Sequence, residues 1–282
     1  MAEDVRAPLQ GDVRVVTQED GTRIHTVVAG SGPTVVLAHG FAIDSNEWNV
    51  IAADLVARGR RVVAFDQRGH GRTTIGRDGI GTRQMAGDYA AVLAAYDVSD
   101  AVLVMHSMGG FIGVRFLVEN SELVARHLRG AMLVATFAGD VNRDNPQNKM
   151  QIPLIRSGIL PKLVATELVG KPFARTLMGD GRTDAMVESF LTMFRAQKLG
   201  PLVPILKAMV QENRYPQLGA ITLPTTILVG TKDKTTPPFH TDELHRGIAG
   251  SRLVRVPGAG HTVNWEAADT IVAEIEALLA DG

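Results

Sequence analysis

A serine, an aspartate and a histidine each come just after a short apolar run in this 282-residue chain. Ser107, Asp233 and His261 follow the runs AVLVM, TTILVG and RLVRVP, in that chain order. A serine hydroxyl is a weak nucleophile at neutral pH. It becomes reactive when a histidine takes its proton and a carboxylate orients that histidine. The three residue types therefore predict nucleophilic catalysis, provided that the fold brings them together.

The elements that must position these residues are eight short apolar runs, which we interpret as strands. They are 13–17, 24–29, 34–38, 61–65, 101–105, 130–137, 225–230 and 252–257. From the third run onward the composition is nearly continuous Val, Leu and Ile, which is typical of strands covered on both faces. The first two runs are joined by Glu-Asp-Gly, a hairpin signal. Segments with helical spacing of apolar residues, such as 83–96 and 264–280, lie between or after the runs. The alternation predicts an α/β fold with a doubly wound, mostly parallel eight-stranded sheet.

One long segment contains no convincing strand. Residues 138–217 carry seven prolines between helical patterns such as 184–198. The segment is too long for a loop, and we interpret it as a helical cap (lid) inserted over the carboxyl edge of the sheet. The predicted core domain is then made of residues 1–137 and 218–282.

The residues at the strand ends carry a family resemblance. HSMGG, GTKDKTTPP and GAGH resemble the nucleophile elbow, acid loop and histidine loop of the α/β-hydrolase fold superfamily. The chain resembles in particular its serine-nucleophile, esterase-like members with a helical cap, over nearly its whole length. The order nucleophile, acid, histidine is that family's order.

The resemblance implies a role for each matching residue. Ser107 is the expected nucleophile, His261 its general base, and Asp233 the acid that orients the histidine. The backbone N–H groups of Phe41 and Met108 are expected to form the oxyanion hole. Asp140, after the sixth run, stays open as an alternative acid, because the acid moves there in some relatives.

Met105 departs from the family pattern Gly-x-Ser-x-Gly, since it stands where the first glycine is usual. Methionine is flexible and fills irregular spaces. We expect Met105→Gly to keep or raise stability or activity.

Three residues are candidates for contact with substrate. Trp48 and Trp265 flank the expected pocket in sequence, and His106 precedes the serine. Packing within the core is the alternative interpretation for each. No histidine has the spacing of a metal ligand, so we predict neither a metal site nor a cofactor.

A serine at position 107 selects among the chemistries of the family. Epoxide hydrolases and haloalkane dehalogenases of this fold use an aspartate there, whereas serine implies acyl transfer. The first prediction is hydrolysis of carboxylic esters through an acyl-enzyme. The alternatives are carbon–carbon hydrolysis of ring-fission products, thioesterase, lactonase, acyltransferase or perhydrolase chemistry, or a binding protein with little turnover. Carbon–carbon cleavage would require a cap arginine facing the serine, with Arg156, Arg175 and Arg195 as candidates.

The composition of the chain limits the kinds of molecule that we expect it to bind. The formal net charge is −1, and the chain has no cysteine and no apolar run of membrane-spanning length. The amino-terminal residues do not resemble a signal peptide. We therefore expect a soluble, cytoplasmic protein that takes a small-molecule ester or acyl substrate, with no nucleic-acid partner and no membrane insertion. The oligomeric state is not predicted.

Overall fold

The structure is a computed structural model that describes residues 4–280. Each of the eight predicted runs forms a strand of one sheet, and no end shifts by more than three residues. The strands are β1 (Asp12–Thr17), β2 (Arg23–Ala29), β3 (Thr34–Ala38), β4 (Arg61–Phe65), β5 (Ala101–His106), β6 (Leu128–Val134), β7 (Thr225–Gly230) and β8 (Arg252–Val256). This agreement confirms the predicted α/β class.

The strand order is β1-β2-β4-β3-β5-β6-β7-β8. The β1–β2 and β2–β4 pairs are antiparallel, and the other pairs are parallel. Parallel strands need crossover connections, and helices supply them. Within residues 4–280 the α-helices are α1 (Asn49–Ala57), α2 (Thr82–Ala95), α3 (Met108–Glu119), α4 (Ser121–His127), α5 (Pro146–Arg156), α6 (Ile159–Val164), α7 (Glu167–Thr176), α8 (Asp184–Ala196), α9 (Val203–Gln211), α10 (Pro238–Gly247), α11 (Val263–Glu266) and α12 (Ala268–Ala280). Short 3-10 helices span Ser45–Trp48, Gly200–Leu202 and Tyr215–Ala220.

Two hydrophobic layers cover the two faces of the sheet. On β5, Leu103 and Met105 pack with helices α2, α3 and α10, while Val102 and Val104 pack with α1 and α12 on the other face. All four side chains are fully buried. Burial on both faces explains why the parallel strands have nearly continuous apolar sequences.

The connection between β6 and β7 contains helices and one isolated β-bridge, between Gly139 and Asn213, but no strand of the sheet. Helices α5 to α9 lie there, and apolar residues of α5 to α8 contribute to a third cluster. Ile205 and Met209 of α9 belong instead to the cluster that contains α2 and α3.

Ala42, Ile43 and Trp265 of the core belong to the third cluster. The cap therefore packs onto loops at the carboxyl ends of the strands, where the predicted chemistry lies. None of the helices between residues 4 and 280 combines the length and the apolar character needed to cross a lipid bilayer.

Candidate active site

Ser107 sits at the sharp turn between β5 and α3, with φ 52° and ψ −118°. A non-glycine residue in this conformation is strained, and the surrounding structure must hold it there. The Ser107 N–H donates to the Val134 carbonyl at 3.0 Å, and the Thr136 hydroxyl donates to the Ser107 carbonyl at 2.6 Å. These bonds fix the backbone of the serine, so its hydroxyl points away from the sheet.

Glycines let this turn lie close to its neighbours. A Cβ on Gly109 would lie 2.6 Å from the Ala38 carbonyl oxygen, which no real side chain tolerates. A Cβ on Gly110 would overlap the Thr136 hydroxyl. The two glycines after the serine are therefore required by the close approach of α3 to β3 and to the segment after β6.

The three strand-end residues meet in one hydrogen-bonded chain. His261 Nε2 lies 3.0 Å from Ser107 Oγ, and His261 Nδ1 lies 2.8 Å from Asp233 Oδ2. A carboxylate can only accept, so Nδ1 carries the proton and the unprotonated Nε2 of the neutral ring accepts from the serine hydroxyl. This tautomer is the one that a general base requires.

The carboxylate of Asp233 is held from several sides. Its Oδ1 accepts the backbone N–H groups of Thr235 at 2.8 Å and Thr236 at 2.9 Å, and its Oδ2 lies 2.8 Å from the Thr236 hydroxyl. The alternative acid, Asp140, is exposed and accepts from the N–H of Asn142. The structure therefore brings Asp233, and not Asp140, to the histidine.

The expected oxyanion donors are the backbone N–H groups of Met108 and Phe41, and neither has a hydrogen-bond acceptor among residues 4–280. Met108 is the first residue of α3, so its N–H has no acceptor within the helix. Phe41 N–H donates no hydrogen bond within the described part of the chain. The turn that carries Phe41 lies against the elbow, since a Cβ on Gly40 would be 3.3 Å from Ser107 Cβ. This contact places the turn that carries Phe41 beside the nucleophile, and the oxyanion hole itself stays a prediction.

A cavity opens above Ser107 and His261, with about 850 Å³ of empty space including its mouth. Its wall is mostly apolar, and much of it comes from the cap. The cap contributes Ile152, Ile155, Phe173, Phe190, Phe194 and Leu206 to it, and also the polar Asn148 and Gln151. Such a wall suits acyl or aromatic groups. The cap arginines Arg156, Arg175 and Arg195 are exposed and do not line this cavity.

The three predicted substrate contacts have different positions. Trp265 and His106 line the cavity, and Trp265 Nε1 donates to the Glu47 carbonyl at 2.8 Å. Trp48 is fully buried in the cluster that contains α1 and α12 and does not line the cavity. Its position corrects our expectation of a substrate contact, because the ring packs among apolar residues of β3, β5, α1 and α12 instead.

Sequence reasoning missed Glu47. This residue is 1% exposed, its Oε1 accepts from Gly40 N–H at 3.0 Å, and its Oε2 lies 3.0 Å from His106 Nδ1. A lone glutamate in a loop is usually solvated, so its only sequence signal was its place between the oxyanion loop and Trp48. Thr236 was missed as well, because a threonine in a loop has no distinctive pattern.

Comparisons with known proteins identify the family of the chain. Residues 33–268 match the family model described as alpha/beta hydrolase fold. The chain is 29% identical over 275 residues to a non-heme haloperoxidase of Rhodococcus erythropolis, covering 92% of this chain and 97% of that protein. Among solved structures, it is similar to an esterase of Exiguobacterium antarcticum, with TM-score 0.83, 22% identity and coverage of 96% and 100% of the two chains. A bromoperoxidase of Bacillus anthracis has TM-score 0.82, 18% identity and the same coverage. These two likenesses show the shared fold, and the family match establishes that the chain belongs to the α/β-hydrolase fold family.

Proposed function

We propose that this protein is a serine hydrolase that cleaves small-molecule carboxylic esters through an acyl-enzyme. The observation that carries the proposal is the chain from Asp233 through His261 to Ser107, which ends at the floor of an apolar cavity. Esters offer an electrophilic carbonyl carbon and an apolar acyl part, which match the nucleophile and the wall.

The proposed reaction has two halves. Ser107 Oγ attacks the carbonyl carbon while its proton passes to His261 Nε2, and the Phe41 and Met108 N–H groups bind the oxyanion. The C–O bond to the alcohol then breaks, and His261 gives its proton to the leaving oxygen. In the second half, water loses a proton to His261 and attacks the acyl-enzyme. Collapse of that intermediate releases the carboxylic acid and returns the proton to Ser107.

A second candidate uses the same acyl-enzyme with hydrogen peroxide in place of water. The product is then a peracid, which can oxidise halide. The name of the Rhodococcus relative, a non-heme haloperoxidase, supports this candidate. The carbon–carbon alternative has no such support, because none of Arg156, Arg175 and Arg195 lines the cavity.

Burst kinetics with p-nitrophenyl esters, from acetate to palmitate, test the proposal. We expect a burst of p-nitrophenol close to one equivalent, followed by turnover, with an optimum chain length that reports the size of the cavity. Ser107→Ala should lower kcat by at least ~1000-fold, while Ser157→Ala, which changes an exposed serine of the cap, should retain wild-type rates. Turnover by Ser107→Ala would exclude this nucleophile. Binding without any burst would indicate a binding protein, and peroxide-dependent oxidation of bromide would favour the second candidate.

A further inference from the structure

Glu47 connects three parts of the candidate site. Its carboxylate accepts from Gly40 N–H in the turn that carries Phe41, and it contacts His106 on the strand that ends at the nucleophile. Its backbone carbonyl accepts from Trp265 Nε1 at 2.8 Å and from Asn264 Nδ2 at 3.1 Å, both just after His261. One buried residue therefore touches the oxyanion turn, the elbow and the segment that follows the histidine.

The contacts of His106 determine how many protons its ring carries. Its Nδ1 lies 3.0 Å from Glu47 Oε2, and its Nε2 lies 3.0 Å from the backbone carbonyl of His261. A carbonyl oxygen only accepts, so Nε2 must be protonated. The Nδ1 contact then needs a second proton, and an imidazolium beside a carboxylate provides it. Burial lowers the pKa of His106, but the nearby charge of Glu47 and the hydrogen bond with it outweigh burial, so the pKa is raised overall.

We propose that Glu47 and His106 form a buried ion pair that positions the oxyanion turn and His261 for the reaction at Ser107. Glu47 is then a positioning residue, and the inference rests on the proposed acyl-enzyme function. The pair contacts two parts of the site beside Ser107. Glu47 accepts a hydrogen bond from Gly40 N–H in the oxyanion turn, and His106 donates one to the backbone carbonyl of His261.

His106 packs tightly against the oxyanion turn and against His261, so a small movement of its ring would move one of them. A Cβ on Gly40 would lie 3.0 Å from His106 Nδ1, so the turn rests directly on the imidazole. The rings of His106 and His261 are 4.9 Å apart between centroids. A displacement of His106 therefore shifts either the Phe41 N–H or the general base, and small misplacements of reacting groups cost up to ~100-fold in rate.

The groups that face His106 are few. Glu47 faces it from the 3-10 helix after β3, His261 from the loop after β8, and Ser107 is its neighbour in the elbow. Asp233, after β7, contributes a more distant negative charge. Trp48 meets the ring edge-on, with 6.3 Å between centroids, and carries no charge. Glu47 is thus the only carboxylate in direct contact with this imidazole within residues 4–280.

The matched variants are Glu47→Gln, Glu47→Ala and a control, Glu274→Gln. Glutamine keeps an acceptor for Gly40 N–H and can donate to a neutral His106, so it removes the charge alone. Alanine also removes the acceptor. Glu274 is a similarly buried carboxylate on α12 that binds Arg252 and does not line the cavity.

Two readouts test the inference. The first is the rate at which a fluorophosphonate probe labels Ser107, together with kcat and KM on the best ester. We expect Glu47→Gln to lower the labelling rate and kcat by ~10- to 100-fold with KM little changed, Glu47→Ala to lower them further, and Glu274→Gln to match the wild type. The second is the ¹⁵N NMR signature of His106, which should be that of an imidazolium at neutral pH in the wild type and of a neutral ring in Glu47→Gln.

The outcomes are separable. A wild type that the probe does not label would overturn the proposed function and this inference with it. A labelled wild type with an equally labelled Glu47→Gln would overturn the inference alone. A neutral His106 in the wild type would also overturn the inference. If the Glu47 variants do not fold, the ¹⁵N NMR spectrum of the wild type alone tests it.

Discussion

Met105 on β5 packs directly onto Gly113 in the second turn of α3. A Cβ on Gly113 would overlap the Met105 sulfur and would lie 3.2 Å from its Cγ. Both residues are fully buried, and Met105 belongs to the cluster between the sheet and helices α2 and α3. The space that a glycine usually leaves open in the strand is therefore occupied here by a methionine, and a glycine on the facing helix accommodates it.

From sequence we expected Met105→Gly to keep or raise stability or activity, but this contact leads us to expect a loss of stability. Truncating a buried methionine leaves a cavity and costs ~2–5 kcal/mol of unfolding free energy, and a glycine within a strand adds ~0.5–1 kcal/mol. Gly113→Ala should also destabilise, because overpacking by ~1–3 kcal/mol exceeds the helix-propensity gain of ~1 kcal/mol. In a Met105→Ala background, however, Gly113→Ala should stabilise. Urea unfolding of the wild type, Met105→Ala, Gly113→Ala and the double variant measures this coupling, and purely additive effects would contradict it.

The choice of acid can be tested with a matched pair. Asp233→Asn keeps the shape of the side chain but allows the wrong tautomer of His261, so kcat should fall by ~10,000-fold, as in other triads. Asp140→Asn changes an exposed residue that contacts Asn142 and should leave kcat within about twofold of the wild type. Steady-state kinetics on one ester compare the two variants. A large loss in Asp140→Asn with an active Asp233→Asn would assign the acid to the other loop.

Substitutions of Trp265 and Trp48 should have different effects, the first mainly on kcat/KM and the second mainly on the free energy of unfolding. Trp265→Phe removes the hydrogen bond to the Glu47 carbonyl and alters the cavity wall, so kcat/KM and the preferred chain length should change. Trp48→Phe opens a space in the core and should cost ~1–3 kcal/mol of unfolding free energy with a smaller change in kcat/KM. Kinetics and urea unfolding of both variants give the comparison. The opposite pattern would restore Trp48 as a substrate contact.

Two buried histidines predict the acid limit of stability. Burial lowers the pKa of His70 to about 3, and burial together with the charge of Arg143 lowers that of His240 to about 3. The ordinary histidine pKa is about 6.5. Between these values the unfolded chain binds protons that the folded protein does not, so stability falls as the pH falls, by about 1.4 kcal/mol per pH unit for each ring. The stabilisation is fully present above about pH 6.5 and lost towards about pH 3.

Urea unfolding across this pH range measures the slope. His240→Gln keeps an acceptor for the Tyr215 hydroxyl, which lies 2.6 Å from His240 Nδ1, and removes the titrating ring. We expect the variant to have a shallower slope than the wild type. His245→Gln, at an exposed position of the same helix α10, is the control and should leave the slope unchanged. Equal slopes in all three proteins would mean that folding does not lower the pKa of His240.

The sequence by itself determined the sheet and the meeting of Ser107 and His261 at its carboxyl edge, with an aspartate from one of two loops. Strand composition is a local property, and the carboxyl ends of parallel strands share one edge, so residues at those ends converge. One predicted helix differed in its continuity: the segment 264–280 is interrupted at Ala267, where φ is −143°. The predicted cap boundaries at 138 and 217 fall after β6 and within a 3-10 helix, and they stay a prediction.

Only the tertiary structure decided which side chains from distant parts of the sequence are in contact. The choice between Asp233 and Asp140 depends on which loop reaches the histidine. The burial of Trp48 depends on the helices α1 and α12 that pack around it, and the fit of Met105 depends on a glycine in another element. Glu47 and His106 are 59 positions apart, and their contact follows from the packing of β5 beside β3. Such contacts leave no periodic pattern in the sequence, because each joins single residues from elements that only the fold brings together.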